Sequence, residues 1–181
     1  YVSFNKGNTW EAFSNGLTKA AVHDLVIQKE AKDLVVGTHG RSIYKADISA
    51  LQNFSSVGNK SIALFETESV RASRRWGMSW GQFYPSFEPS TTFTFYSAAE
   101  AIQGVNVLSE GGALLNSIEV QADKGFNYVD YDLTITTAGK EALTKENSKL
   151  RINKAMNGKY YLPKGKYTIQ IGSQKTTFEV K

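Results

Sequence analysis

The 181-residue sequence contains no cysteine, only 3 prolines, and no apolar run near the length of a membrane span. The lack of cysteine excludes disulfide frameworks, thiolate zinc sites and cysteine nucleophiles, although it leaves the cellular compartment open. A transmembrane helix needs about 20 consecutive apolar residues, so no membrane span is predicted. With 41% hydrophobic and 21% charged residues, the composition is that of an ordinary globular protein and not of a disordered, collagenous or coiled-coil chain.

Three sequence patterns that are typical of nucleotide-binding or zinc-protease sites are also missing. The phosphate-binding pattern G-x-x-x-x-G-K-[ST], the dinucleotide pattern G-x-G-x-x-G and the zinc-protease pattern H-E-x-x-H do not occur. The net charge of +4 permits an acidic partner without requiring one. We therefore predict no cofactor, no metal site and no catalytic residue in this chain.

Short runs of β-branched and aromatic residues, separated by glycine and asparagine turns, predict an all-β fold. The strands predicted within 1–48 recur about every ten residues, a spacing typical of sheet meanders in propellers, barrels or sandwiches. An irregular connector at 49–89 is followed by strands at 90–181, the size of an immunoglobulin-like sandwich with about seven strands. Residues 138–150 predict its one short helix.

One turn near the start of the chain carries a family resemblance. Ser3-Phe4-Asn5-Lys6-Gly7-Asn8-Thr9-Trp10 resembles the Asp-box, the S-x-D-x-G-x-T-W turn of BNR-repeat propellers, a group that includes sialidases and sortilin. Asn5 stands where the family usually has Asp, and either side chain can bond back to the turn backbone. Residues 22–26 and 33–44 look like the final blade of large bacterial BNR proteins often labelled glycosyl hydrolases, and 125–133 and 163–168 resemble the sandwich that follows it.

This resemblance implies that the chain is the C-terminal piece of a longer bacterial protein that is secreted, periplasmic or on the cell surface. Segment 1–48 would supply terminal blade strands, and its partner would be the missing upstream propeller, because several four-stranded blades must close on one another. Exposed strand edges would also favour self-association. The expected function is a non-catalytic accessory or structural region of a BNR-propeller protein that acts on glycans, with the parent's enzymatic activity left open.

The resemblance also implies candidate ligand-binding residues. In propellers of this group the turns opposite the Asp-boxes line the binding mouth, which would place His23, Asp24, His39 and Arg41 near a ligand. Such a set suits an acidic or hydroxylated sugar, because arginine pairs with carboxylates bidentately. The alternative is structural: His39 would serve the tight turn and Asp24 would bond to nearby backbone. Glycoside hydrolysis usually needs two carboxylates, and Asp24 is the only acidic residue near these turns in the sequence. We therefore predict that these residues do not catalyse hydrolysis.

The connector mixes arginines with aromatic residues. Trp76 and Trp80 are candidate sugar-stacking residues, and Phe83, Tyr84 and Phe87 could extend the platform. Cations and rings also suit nucleic acid, which we do not expect as the partner. The structural alternative is burial of these rings, because large apolar side chains seldom form a contiguous exposed patch.

Two other functions remain open at this point. The chain could be a carbohydrate- or protein-binding module that uses the aromatic connector or a sandwich edge. Residues 163–181 also permit a cell-surface sorting domain like those of type IX secretion substrates, which are small sandwiches with a Gly-x-Tyr strand near the end. Asp130 and Asp132 alternate along a predicted strand and share one face, which would suit a calcium site. Two carboxylates are too few, because calcium binds about six to eight oxygen ligands.

Overall fold

The computed structural model describes residues 1–11, 13, 17, 19–54, 57 and 60–181. The chain is mostly β, with several antiparallel sheets, as predicted. It divides into two compact units, Tyr1–Lys60 and Ser61–Lys181, so the division falls within the predicted connector. Among the described residues, no helix is both long enough and apolar enough to cross a membrane.

Unit 1 contains a three-stranded antiparallel sheet in the order β1-β2-β3, formed by β1 (Val22–Gln28), β2 (Asp33–Thr38) and β3 (Ile43–Asp47). The short helix α1 (Ser49–Gln52) follows β3. The central strand β2 contains the buried Val36, whereas all 7 residues of the edge strand β1 are exposed. Before β1, the backbones of Val2 and Glu11 exchange two hydrogen bonds of 2.9 Å and so close the Asp-box-like turn.

Unit 2 contains most of the strands and one longer helix. Its elements are β4 (Ile62–Leu64), β5 (Thr91–Ser97), β6 (Ala101–Ser109), β7 (Leu114–Ala122), β8 (Gly125–Tyr131), β9 (Thr134–Ile135), α2 (Thr137–Glu146), β10 (Tyr160–Tyr161), β11 (Gly165–Ile171) and β12 (Gln174–Val180). A four-stranded sheet has the order β12-β11-β6-β7, a three-stranded sheet has the order β4-β5-β8, and β10 pairs with β9. Strand β4 thus lies inside the range 49–89 that the sequence predicts as a connector.

A single hydrophobic core contains residues from both larger sheets of unit 2. On β5 the buried Phe93 and Phe95 alternate with threonines, and on β11 the buried Tyr167, Ile169 and Ile171 alternate with polar residues. Successive side chains of a strand point to opposite faces, so each strand contributes one face to this core. The alternation visible in the sequence is therefore the direct cause of the layering.

Helix α2 is shorter than the predicted range 138–150 because its C-terminal cap, Asn147, adopts an extended conformation. At its start, the Thr136 hydroxyl accepts a hydrogen bond of 2.9 Å from the Gly139 amide, a typical N-cap. The Thr136 amide donates to the Leu115 carbonyl at 3.0 Å, which fastens the helix start to β7.

Candidate functional site

The Asp-box-like turn is held together by the side chains that define the motif. The Ser3 hydroxyl oxygen accepts a hydrogen bond of 2.7 Å from the Gly7 amide. Asn5 Oδ1 accepts from the Thr9 amide at 2.8 Å, and Asn5 Nδ2 donates to Thr9 Oγ1 at 2.7 Å. The Trp10 indole donates to the Gly7 carbonyl at 3.1 Å. Position 5 thus needs an oxygen acceptor, which Asn and Asp both supply.

The pairing of β1 with β2 brings two candidate site residues together. The rings of His23 and His39 are stacked with centroids 5.1 Å apart. His23 lies at a register shift in β1, since Val22 pairs with Thr38 and Asp24 pairs with Gly37. Such a bulge re-aims side chains at the end of a sheet.

The charged candidates of unit 1 are Asp24 on β1 and Arg41 after β2. Asp24 Oδ1 accepts a hydrogen bond of 2.9 Å from the neighbouring Leu25 amide, which agrees with the structural alternative for this residue. Arg41 is exposed in the turn between β2 and β3. Over the part of the chain that the structure describes, no cluster of three or more His, Cys, Asp or Glu residues could hold a metal ion.

The two tryptophans of the connector have opposite environments. Trp76 is only 9% exposed and belongs to the core of unit 2, where its ring lies 5.9 Å from that of Tyr161. Trp80 is 85% exposed, and Phe83 is 88% exposed. Burial of the connector's rings therefore holds for Trp76 but not for Trp80. We call residues 77–87 the aromatic hairpin; its exposed rings are Trp80, Phe83, Tyr84 and Phe87.

Backbone hydrogen bonds define the aromatic hairpin. The Gly77 amide donates to the Phe87 carbonyl and the Phe87 amide donates to the Met78 carbonyl, both at 2.8 Å. Inside the hairpin, the Ser79 hydroxyl lies 2.6 Å from the carbonyl oxygen of Gly81 and 2.7 Å from that of Tyr84. The tip that carries the rings is therefore internally bonded.

Contacts of Glu88 with Asn157 and Lys159, which we call the clasp, fix the end of the aromatic hairpin to a distant segment. Glu88 accepts hydrogen bonds from Asn157 at 3.0 Å and from Lys159 at 2.8 Å. Lys159 also lies 3.4 Å from Asp132, and Asn157 donates to the Tyr161 hydroxyl at 2.8 Å. The hydrogen bond from Lys159 lowers the pKa of Glu88, and in return Glu88 raises the pKa of Lys159.

Gly77 is required where the hairpin begins. Its φ is +73°, and a Cβ at this position would lie 2.5 Å from the Ala155 Cβ and 2.6 Å from Asn157 Oδ1. The Asn157 amide donates to the Gly77 carbonyl at 3.1 Å. Only glycine combines this left-handed backbone with so close an approach.

Arg75 brings a positive charge to the exposed rings. Its guanidinium carbon lies 5.9 Å from the centre of the Trp80 ring and 5.7 Å from that of Phe87, within the range of cation–π attraction. From Arg71 to Phe87 the sequence contains three arginines and no acidic residue. The hairpin is thus an aromatic surface with a local excess of positive charge.

Asp130 and Asp132 bind different partners and do not form a common site. The Thr92 hydroxyl donates to Asp130 at 2.5 Å, whereas Asp132 accepts from the Thr134 amide and hydroxyl. These contacts use carboxylate oxygens that a calcium ion would need.

Comparison with known proteins adds no relative to these observations. No protein-family model, no curated protein and no solved structure gives a significant match to the chain. The resemblance to BNR propellers therefore stays a prediction that depends on the residues and geometry of the chain itself.

Proposed function

We propose that this chain is a non-catalytic C-terminal accessory region of a bacterial BNR-propeller protein that acts on glycans and is secreted, periplasmic or on the cell surface. The observation that carries the proposal is the set of hydrogen bonds among Ser3, Asn5, Gly7, Thr9 and Trp10. Each residue type that the Asp-box specifies takes part in a hydrogen bond of this turn. The hydrogen bonds therefore support the resemblance in addition to the sequence pattern.

The exposure of β1 supports the propeller part of the proposal. Leu25, Val26 and Ile27 are 59%, 55% and 53% exposed on an edge strand of a three-stranded sheet. A complete blade has four strands and packs against its neighbours. Strands β1–β3 would be part of an incomplete blade, and further blades of the parent protein would cover these side chains.

The arrangement of unit 2 supports an immunoglobulin-like sandwich. Its four-stranded and three-stranded antiparallel sheets share one core, which gives the number of strands such a sandwich has. A sandwich of this kind would brace the propeller or space it from the cell surface. That role depends on packing and needs no catalytic residues.

Limited proteolysis read by mass spectrometry, together with hydrolysis assays, tests the proposal. We expect cleavage within unit 1 while a fragment beginning near Ser61 survives, because the proposal makes unit 1 part of an incomplete blade. We also expect no turnover of chromogenic glycosides or polysaccharides. Resistance of the whole chain, or turnover that disappears in Asp24→Asn, would overturn the proposal.

One observation favours a second function, carbohydrate binding by unit 2. The aromatic hairpin exposes four aromatic rings beside Arg75. Several exposed aromatic rings within one short segment are typical of an interaction site, because monomeric proteins otherwise bury such groups. This function is compatible with an accessory role, since a binding module would hold the parent protein on its substrate.

A further inference from the structure

The aromatic hairpin is exposed although unit 2 has a well-formed core. Trp80 and Phe83 are 85% and 88% exposed, whereas Phe93 and Phe95 of the same unit are 1% and 0% exposed. Aromatic side chains bury more apolar area than most others, so leaving several of them in water forgoes a large hydrophobic stabilisation. Exposure at this cost is typical of a binding surface.

The hairpin is also held in place without a ligand. Backbone hydrogen bonds of Phe87 with Gly77 and Met78 close it, and the contacts of Glu88 with Asn157 and Lys159 fasten its end. A surface ordered beforehand loses less conformational entropy on binding. The backbone that carries the exposed rings is thus held in position before a ligand binds.

The position of Arg75 indicates the chemistry of that ligand. A guanidinium beside two exposed rings can pair bidentately with a carboxylate while the rings contact an apolar face. A uronic acid combines these features, because its pyranose ring has a face of C–H groups and a carboxylate on its rim. C–H groups carry a small positive charge and so are attracted to the negative face of an aromatic ring.

We propose that the aromatic hairpin binds acidic polysaccharide, with Trp80, Phe83, Tyr84 and Phe87 as contact surfaces and Arg75 as the carboxylate-binding residue. This inference rests on the carbohydrate binding proposed above and names its ligand class. It also gives Arg75 a function that the sequence pattern left unassigned.

The same geometry disfavours an anionic lipid bilayer as the partner. Membrane-inserting rings enter the acyl region while their cations remain at the headgroups. The Arg75 guanidinium carbon lies 5.9 Å from the centre of the Trp80 ring and 5.7 Å from that of Phe87. Inserting those rings into the acyl region would therefore draw the charged guanidinium inward with them. A polymer that lies across the rings leaves Arg75 in water and in contact with its carboxylates.

Affinity electrophoresis and calorimetry with polygalacturonate, and with the same polymer fully methyl-esterified, test the inference. Esterification removes the carboxylate charges and keeps the sugar backbone. We expect the intact chain to bind polygalacturonate about tenfold more tightly than the ester, as for loss of one charge-assisted hydrogen-bonded pair. Trp80→Ala is expected to weaken binding to both polymers about tenfold, as for loss of one stacked ring.

Matched variants separate a specific site from general attraction. Arg75→Gln is expected to abolish the preference for polygalacturonate over its ester. Lys175→Gln removes the same charge from the far end of β12, and Ile102→Ala removes an exposed apolar side chain from β6; both are expected to bind like the unaltered chain. Circular dichroism of each variant checks that the fold is kept.

Each contrary outcome has a distinct meaning. Equal affinity for the two polymers would overturn the acidic ligand and leave carbohydrate binding standing, whereas binding of neither would overturn both. A Lys175→Gln defect as large as that of Arg75→Gln would show unspecific charge attraction. Binding only to vesicles of equal parts phosphatidylcholine and phosphatidylglycerol, or only to a thymidine oligomer, would assign the hairpin to a bilayer or to nucleic acid instead.

Discussion

Gly139 sets the distance at which helix α2 can pack on strand β7. A Cβ at this position would lie 2.1 Å from the carbonyl oxygen of Leu115 and 2.6 Å from its Cα. Both atoms belong to the backbone of a paired strand, so they cannot move aside as the end of a flexible side chain can. Glycine costs an isolated helix about 1 kcal/mol relative to alanine, but here the close approach outweighs that cost.

We predict that Gly139→Ala destabilises unit 2 although alanine is the better helix former. The overpacking is expected to lower the free energy of unfolding by about 1–3 kcal/mol, measured by urea denaturation. Glu141→Ala, on the exposed part of the same helix, provides the control and is expected to change stability by less than about 0.5 kcal/mol. Equal or greater stability of Gly139→Ala would show that the helix start is not held against Leu115.

At the scale of elements, the aromatic hairpin depends on a clasp with a defined pH range. The pKa of Glu88 is lowered from its ordinary 4.5, so its contribution is present above pH 4.5 and is lost as the pH falls through the lowered value. The pKa of Lys159 is raised from its ordinary 10.5, so its contribution is present below pH 10.5 and is lost as the pH rises through the raised value. The clasp is complete between these limits.

We predict that acid releases the hairpin before it unfolds unit 2. The NMR signal of the Trp80 indole N–H is expected to titrate below pH 4.5, the ordinary pKa of the Glu88 carboxyl group, as that carboxyl takes up a proton. In Glu88→Gln this titration should be absent, because the side chain no longer ionises. An unchanged titration in that variant would assign the response to another carboxyl group.

The sequence predicts the elements whose signals are local. The alternation of Tyr167, Ile169 and Ile171 gives a strand with one buried face, which the structure confirms. The clasp cannot be predicted in this way, because Asn157 and Lys159 lie 69 and 71 residues beyond Glu88. Trp76 and Trp80 lie in the same short segment and each is followed by glycine, so tertiary packing decides which indole is buried.

At the scale of the whole molecule, β1 is the more exposed of the two edge strands in the sheet of unit 1. All 7 of its residues are exposed, and among the described residues its strand neighbour is β2 alone. An edge strand offers unpaired amide and carbonyl groups, and apolar side chains increase its tendency to pair with another chain. In the proposed parent protein, neighbouring blades would occupy this edge.

Without those blades, we predict that the chain associates with itself through β1 as its concentration rises. Ile27 is 53% exposed on this strand, and Ile27→Lys should shift the equilibrium to monomer, because a charged edge opposes pairing with its own copy. Ile102 is 67% exposed on β6 of unit 2, where it pairs with Gln121 of β7, so Ile102→Lys adds the same charge away from β1 and should leave association through β1 unchanged. Sedimentation velocity over a concentration series measures both. A chain that stays monomeric throughout, or an equal effect of the two lysines, would mean that this edge is protected, and the case for an incomplete blade would lose its main structural support.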